Sequence, residues 1–208
     1  MTDVISDRDT LYDRLDRAAQ SGMTLSVWAA RQPERIAVYD PNGRTRSFAD
    51  LNGNANRLAK LLRARGLKAG DALALICSNR AEFAEVLAAT LRTGIRVTPV
   101  NWHLTAEEIA FIVRDCDAKA VVADARVASA LALAIADCPE VSVRLAVGGA
   151  IAGFQSYDAT LAPLDGSDIS DPLLGNIMFY TSGTTGRPKG VLRAVALITP
   201  ARSYTEKG

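Results

Sequence analysis

The run Ala72-Leu-Ala-Leu-Ile-Cys77, followed by Asn79-Arg-Ala-Glu-Phe-Ala-Glu-Val-Leu-Ala-Ala-Thr-Leu91, Gly94 and Ile95-Arg-Val-Thr-Pro-Val100, decides the fold class. A continuous apolar run without alternation marks a strand buried on both faces. Asn79 is placed to cap a helix with Phe83, Val86, Leu87, Thr90 and Leu91 on its inner side, and Gly94 ends it. Strand, helix and strand at this spacing make a right-handed crossover between parallel strands.

The pattern extends in both directions. Upstream, Ser47 with Asp50 forms a capping box for a helix that places Leu51, Ala55, Leu58, Ala59 and Leu62 on one face and stops at Gly66. Before it, Ile36–Tyr39 and Thr45–Phe48 flank the turn Asp40-Pro-Asn-Gly43 and predict a hairpin. Thr24 is expected to cap a short helix through Trp28 that stops at Gln32. Ser6 to Gln20 reads as a surface helix laced with ion pairs.

Downstream, Thr105 with Glu108 is a second capping box, and Ile109, Ile112, Val113 and Cys116 form the buried side of its helix. Ala120–Ala123 and Val143–Val147 read as strands on either side of an alanine-rich helix near Ala125 to Ala136, before Gly148-Gly149 breaks the series. Gly153 to Asp171, with its breakers Asp165-Gly-Ser-Asp168 and Asp171-Pro172, is expected to be a polar surface connection. The fold class is therefore α/β, a mainly parallel sheet flanked by helices.

Composition excludes several classes. The 208 residues are 49% hydrophobic and 23% charged, which suits a globular chain with a sizeable core. Lys plus Arg number 24 against 23 Asp plus Glu, so a net charge of +1 offers no field for nucleic acid or an anionic membrane. The N-terminal Met1-Thr-Asp-Val-Ile-Ser-Asp-Arg-Asp lacks the basic start and apolar core of a secretory leader, and the longest largely apolar run, Val127–Ala136, falls well short of the ~20 residues of a membrane span. Cys77, Cys116 and Cys138 lie far apart and read as reduced buried thiols, and the single histidine, His103, has no companion ligand. No Gly-x-Gly-x-x-Gly occurs, which disfavours a nicotinamide cofactor. A soluble, cytoplasmic protein is expected.

The chemistry-bearing stretch comes late. Asn176-Ile-Met-Phe-Tyr180 runs as a strand into Thr181-Ser-Gly-Thr-Thr-Gly-Arg-Pro-Lys-Gly190, with Val191 opening a second apolar segment. Composition alone fits a plain loop. The ordered combination fits an anion cradle: Gly183, Gly186 and Gly190 for positive φ and close backbone approach, hydroxyls at Thr181, Ser182, Thr184 and Thr185, Lys189 as a point charge, and no carboxylate. The spacing is neither Gly-x-x-x-x-Gly-Lys-Ser/Thr nor Gly-x-Ser-x-Gly, so a kinase or ATPase loop is disfavoured and Ser182 reads as a donor, not a nucleophile.

Tyr180 to Val191 closely resembles the phosphate-binding signature of the adenylate-forming enzymes, the group of acyl-CoA synthetases, luciferases and peptide-synthetase adenylation domains. Gly43–Leu51, Asn79–Phe83 and Thr93–Thr105 are similar to the N-terminal domain of the same group, so the likeness covers nearly the whole chain. Val100-Asn-Trp-His-Leu-Thr-Ala-Glu-Glu-Ile109 resembles acyl-CoA synthetases more than peptide-synthetase domains. The resemblance implies a two-step ligase: a carboxylic acid, expected to be a fatty or aryl acid with fatty acid leading, reacts with ATP and Mg²⁺ to give acyl-adenylate and pyrophosphate, and coenzyme A then takes the acyl group. It implies that Thr181, Ser182, Gly183, Thr184, Thr185, Gly186 and Lys189 hold the phosphates, with the Thr181 hydroxyl reaching the metal.

Departures accompany the likeness. The group's adenine, ribose and acyl-pocket motifs and its catalytic lysine have no counterpart here, so no catalytic residue is assigned. From Leu192 onward the pattern fades. Residues 1–195 are expected to form a partial AMP-binding N-terminal domain and 196–208 an aberrant or disordered tail, as truncation would produce. Part of an acid:CoA ligase, inactive by itself, is the leading expectation; the alternatives are a non-catalytic remnant or interaction module and a carrier-protein adenylation domain.

Overall fold

In the computed structural model, residues 3–41, 43–136, 138–181 and 188–193 are described, with the side chains of 3–10 and 193 left aside. Helices α1 (Asp3–Ala19) and α2 (Thr24–Arg31) lead to the antiparallel hairpin of β1 (Ile36–Tyr39) and β2 (Thr45–Ser47). Then follow α3 (Phe48–Ala64), β3 (Ala72–Ile76), α4 (Ala81–Leu91), β4 (Arg96–Pro99), α5 (Ala106–Asp115) and β5 (Ala118–Asp124). After a short 3₁₀ turn come α6 (Ala128–Ala136), β6 (Val143–Val147), β7 (Gln155–Ser156), α7 (Tyr157–Leu161), β8 (Asn176–Thr181) and β9 (Lys189–Arg193).

Seven strands form one sheet in the order β7-β6-β5-β3-β4-β8-β9. Every neighbouring pair is parallel except β8 and β9. Because β3 is covered on both sides, Leu73 and Leu75 pack with α3, α4 and α7 in one core, while Ala74 and Ile76 pack with α5 and α6 in the other. The result is a helix, sheet, helix sandwich, the layering that continuous apolar strands require.

Local signals explain the element starts. Both capping boxes form: the Ser47 hydroxyl accepts from the Asp50 N–H at 3.1 Å and the Thr105 hydroxyl from the Glu108 N–H at 3.3 Å, each with the acid reaching back. Two expected caps do not. The cap position of α2 is Met23, with Thr24 as its first residue, and that of α4 is Arg80 rather than Asn79, neither with a side-chain cap bond. In both, packing fixes the entry without a cap. Met23 is buried in the α3–α4 core, and the Ala81 N–H reaches the Asp40 carboxylate at 3.4 Å.

The segment from 153 to 171 departs most from the sequence reading. It contains β7 and α7, and Tyr157, Leu161 and Ile169 are buried in the core. Its polar residues disguise it, because several of them bond to side chains of α3. Lys60 Nζ meets Asp165 at 2.7 Å, Arg63 meets Asp171 at 2.6 Å, and Arg57 Nε donates to the Leu164 carbonyl at 3.0 Å.

Candidate functional site

After β3 the chain turns to α4 on one face of the sheet, and after β4 it turns to α5 on the other. Adjacent strands whose following helices diverge leave a crevice beyond their carboxyl ends, where open α/β sheets bind ligands. Strand β8 lies parallel to β4, with Arg96 opposite Asn176 and Val97 opposite Ile177. The stretch after β8 therefore leaves from this same edge.

At that edge β8 and β9 pair from Ile177 opposite Arg193 to Thr181 opposite Lys189. Two of the expected phosphate-binding residues, separated in sequence, thus become cross-strand partners, both exposed at the mouth of 182–187. Ser182, Gly183, Thr184, Thr185 and Gly186 lie outside the described residues, as does the expected tail 196–208. Gly190 serves close approach and is not in the left-handed region: a β-carbon there would stand 2.1 Å from Met178 Cε and 3.2 Å from Tyr180 Cζ.

The strand is held by a directional contact. Tyr180 donates its hydroxyl proton to Asp115 Oδ2 at 2.5 Å, tying β8 to the end of α5. Burial and this bond raise the phenol well above its ordinary value, so Tyr180 remains a donor across the neutral range. Next to the hairpin, the turn after β4 is stiffened by the His103 N–H donating to Asn101 Oδ1 at 3.0 Å and by the Trp102 and His103 rings, whose centroids are 3.6 Å apart.

Donor chemistry fits phosphate better than a bare metal. Thr181 and Lys189 present a hydroxyl and an ammonium. Among the described residues no group of three or more His, Cys, Asp or Glu side chains could hold a metal ion. A Mg²⁺ ion here would take mainly phosphate oxygens, with Thr181 offering a protein hydroxyl among the described residues. The cysteines are buried and in no disulfide among the described residues. Burial, then the charges of Asp124 and Glu82, push the Cys77 thiol up to about 12, so it is no nucleophile at neutral pH.

Sequence reasoning missed the network that delivers β8. Arg92 is fully buried at the end of α4; its Nε donates to the Ala88 carbonyl at 3.1 Å and its Nη1 to Asn56 Oδ1. Asn56 in turn donates to Asp168 Oδ1 at 2.8 Å and to the Gly166 carbonyl at 2.9 Å, and Asp168 also receives Asn52 and Ser26. The backbone follows: the Leu173 N–H bonds the Arg92 carbonyl at 3.0 Å, and the Gly175 N–H bonds the Leu91 carbonyl at 2.8 Å. A signal was available, since Asn56 falls next to Ala55 within the buried stripe of α3, where an amide must find partners.

Comparison with known proteins gives a consistent picture. The model of the AMP-binding enzyme family matches residues 25–203. The chain is 37% identical over 161 residues to the 2-succinylbenzoate–CoA ligase of Geobacillus kaustophilus, covering 77% of this chain and 30% of that one. It is 32% identical to the fatty acid–[acyl-carrier-protein] ligase ScoC of Streptomyces coeruleorubidus, over 82% of this chain and 32% of the relative. The structure of a Mycobacterium tuberculosis fatty acyl CoA synthetase superposes with a TM-score of 0.73 at 27% identity, over 86% and 35% of the two chains. The chain thus spans about a third of the length of these relatives.

Proposed function

This chain belongs to the AMP-binding enzyme family, and from that premise we propose that it is part of an ATP-dependent acid:CoA ligase whose phosphate-holding element is Thr181 to Lys189. The observation that carries the reading is the register of the β8–β9 hairpin, Thr181 opposite Lys189 at the carboxyl edge beside β4. In such a reaction a carboxylate oxygen attacks the α-phosphorus of ATP and the bond to pyrophosphate breaks; the thiolate of coenzyme A then displaces AMP. Lys189 neutralises phosphate charge, the Thr181 hydroxyl donates to phosphate or ligates Mg²⁺, and Ser182, Gly183, Thr184, Thr185 and Gly186 complete the proposed phosphate-holding set. Mg²⁺, when bound, supplies charge neutralisation.

A fatty acid is the proposed acid, coenzyme A the acceptor and the cytoplasm the compartment. ScoC, named for a carrier-protein acceptor, keeps that alternative in the test panel. Because these residues match only about a third of each relative, the groups that fix adenine, ribose and the acid are proposed to come from polypeptide beyond them. Without that positioning, worth roughly 7 to 11 kcal/mol of barrier, the 208 residues bind phosphate and do not turn over.

The test is calorimetric titration of the chain with pyrophosphate and with Mg·ATP, paired with pyrophosphate exchange over short, long-chain and aryl acids. Lys189→Ala should weaken binding by roughly 1.5 to 3 kcal/mol, the worth of a charge-assisted contact, with the fold intact. Unchanged affinity would remove Lys189 from the site. Acid-dependent exchange by the chain alone would overturn the claim that it does not turn over. The exposed Phe179, Val191 and Leu192 favour a second reading, a non-catalytic interaction module. Self-association without any binding of pyrophosphate or ATP would select it.

A further inference from the structure

At the opposite end of the sheet, a cavity of about 390 Å³ is lined by Arg65, Val141, Ser142, Arg144, Gly153 and Gln155, with no acid among them. It lies at the starts of β6 and β7, roughly 16 Å along the strands from the carboxyl edge that bears Thr181. Arg65 and Arg144 both line it. We propose that this cavity binds a phosphate group between the two guanidiniums, at a site separate from the phosphate loop.

The argument rests on what each guanidinium leaves unused. Arg65 Nη2 donates to Gln155 Oε1 at 3.1 Å, and Arg144 Nε donates to the Val141 carbonyl at 3.1 Å. These neutral partners hold the two groups in place and leave most of each planar donor fork available. Neither arginine forms an ion pair with a carboxylate among the described residues, whereas Arg44, Arg46, Arg63 and Arg80 each do. The nearby Lys119 is already neutralised by Asp71 at 2.6 Å.

A plainer account covers only half of this. Arg65 follows the last turn of α3, where any cation is favoured by the helix dipole. That does not explain Arg144, a half-buried residue of β6, turned into the same acid-free cavity. Two adjacent cations call for an anion, and two planar forks suit the several oxygens of a phosphate dianion better than a single carboxylate. Ser142 gives its proton to the Lys119 carbonyl at 3.3 Å, so the guanidiniums are the donors.

Phosphate could arrive free, or as the headgroup of an anionic lipid. The probe is inorganic phosphate, titrated by calorimetry and by NMR of the arginine side-chain N–H groups, using the 208-residue chain carrying Lys189→Ala so that the loop is silenced. Binding should persist, shift the Arg65 and Arg144 resonances, and weaken about tenfold or more in Arg65→Gln/Arg144→Gln. Arg65→Lys/Arg144→Lys, which keeps charge but loses the forks, should fall between the two. A parallel arm sediments the protein with phosphatidylcholine vesicles with and without phosphatidic acid. Arginine-dependent sedimentation on phosphatidic acid supports the site with a lipid source; phosphate binding without sedimentation supports it with a free one. Loss of all phosphate binding in Lys189→Ala, or affinity unchanged in the glutamine double variant with an unaltered melting temperature, would overturn the proposal.

Discussion

Strand β3 and the β8–β9 hairpin belong to one sheet and are built in opposite ways. All five residues of β3 are buried, with helices on both faces. No residue of β8 is fully buried, Phe179 is 44% exposed, and Leu192 on β9 is 55% exposed. The centre of the sheet is fixed by burial. Its β8–β9 edge, proposed to face phosphate, is fixed by a few directional contacts, Tyr180 to Asp115, the register with β4, and the clamped connector before β8. Binding elements are commonly drawn from the less stable end of a fold, because they must open and close on ligand.

The largest effect should come from breaking the buried side. Leu75→Ala empties a site packed against α3 and α4 and is expected to cost about 2 to 5 kcal/mol in urea denaturation. Leu192→Ala removes more exposed apolar surface and should stay within about 0.5 kcal/mol. Comparable losses at both positions would mean that the hairpin is held by burial after all.

The connector that feeds β8 should respond next, and its response is pH-dependent. Burial alone would raise the Asp168 carboxyl, but the bonds from Ser26, Asn52 and Asn56 and the Arg92 charge outweigh it and hold it below the ordinary 3.8. A carboxyl lowered on folding contributes stability above its unfolded value and loses it as pH falls through the folded value. Amide exchange at Leu173 and Gly175 should therefore accelerate as pH drops below about 4, relative to intrinsic rates. Asp168→Asn should reproduce that loosening at neutral pH, at a cost of about 1 to 2 kcal/mol. Glu85 acts with the reverse sign. Burial raises its carboxyl despite bonds from Asn54, Tyr157 and Arg46, so its contribution is full below its unfolded value and is lost as pH rises through the raised folded value. Protection at Leu173 that is flat across the acid range would detach the connector from Asp168.

The two regions were also unequally legible in the sequence. Apolar runs and capping boxes announced β3 to β6 and their helices, because burial on both faces leaves a pattern that needs no knowledge of partners. Thr181 and Lys189 were readable as a pair from the glycine-rich stretch between them. The clamp was not: Arg92, Asn56 and Asp168 are distant in sequence, and although Asn56 falls within the apolar stripe of α3, nothing names its partners until the fold brings α3, α4 and the connector together. For the same reason α7 was taken for loop, since five residues offer too little periodicity to register while Tyr157 finds its partner Glu85 at 3.0 Å only in the folded chain. Asn79 and Thr24 failed as caps because tertiary contacts to Asp40 and around Met23 set those helix starts instead.

The smallest and most local effect is expected at Tyr180. Replacing it with Phe keeps the ring against Gly190 and Met178 and removes only the hydroxyl that reaches Asp115. Asp115 is exposed and will be rehydrated, so no buried charge is stranded and the net cost should be about 0.5 to 1.5 kcal/mol. Such a loss would leave the central sheet almost untouched. It should appear in the hairpin, as faster amide exchange in β8 and β9 with unchanged exchange in β3 and β5, and as weaker pyrophosphate binding if Thr181 and Lys189 must be held in register to share one anion. Because burial and the bond to Asp115 keep the Tyr180 phenol protonated through neutral pH, wild-type hairpin protection should hold across that range, whereas Tyr180→Phe should exchange faster throughout it. Identical protection of the hairpin in the two proteins at every pH would show that the β4 register alone secures this edge.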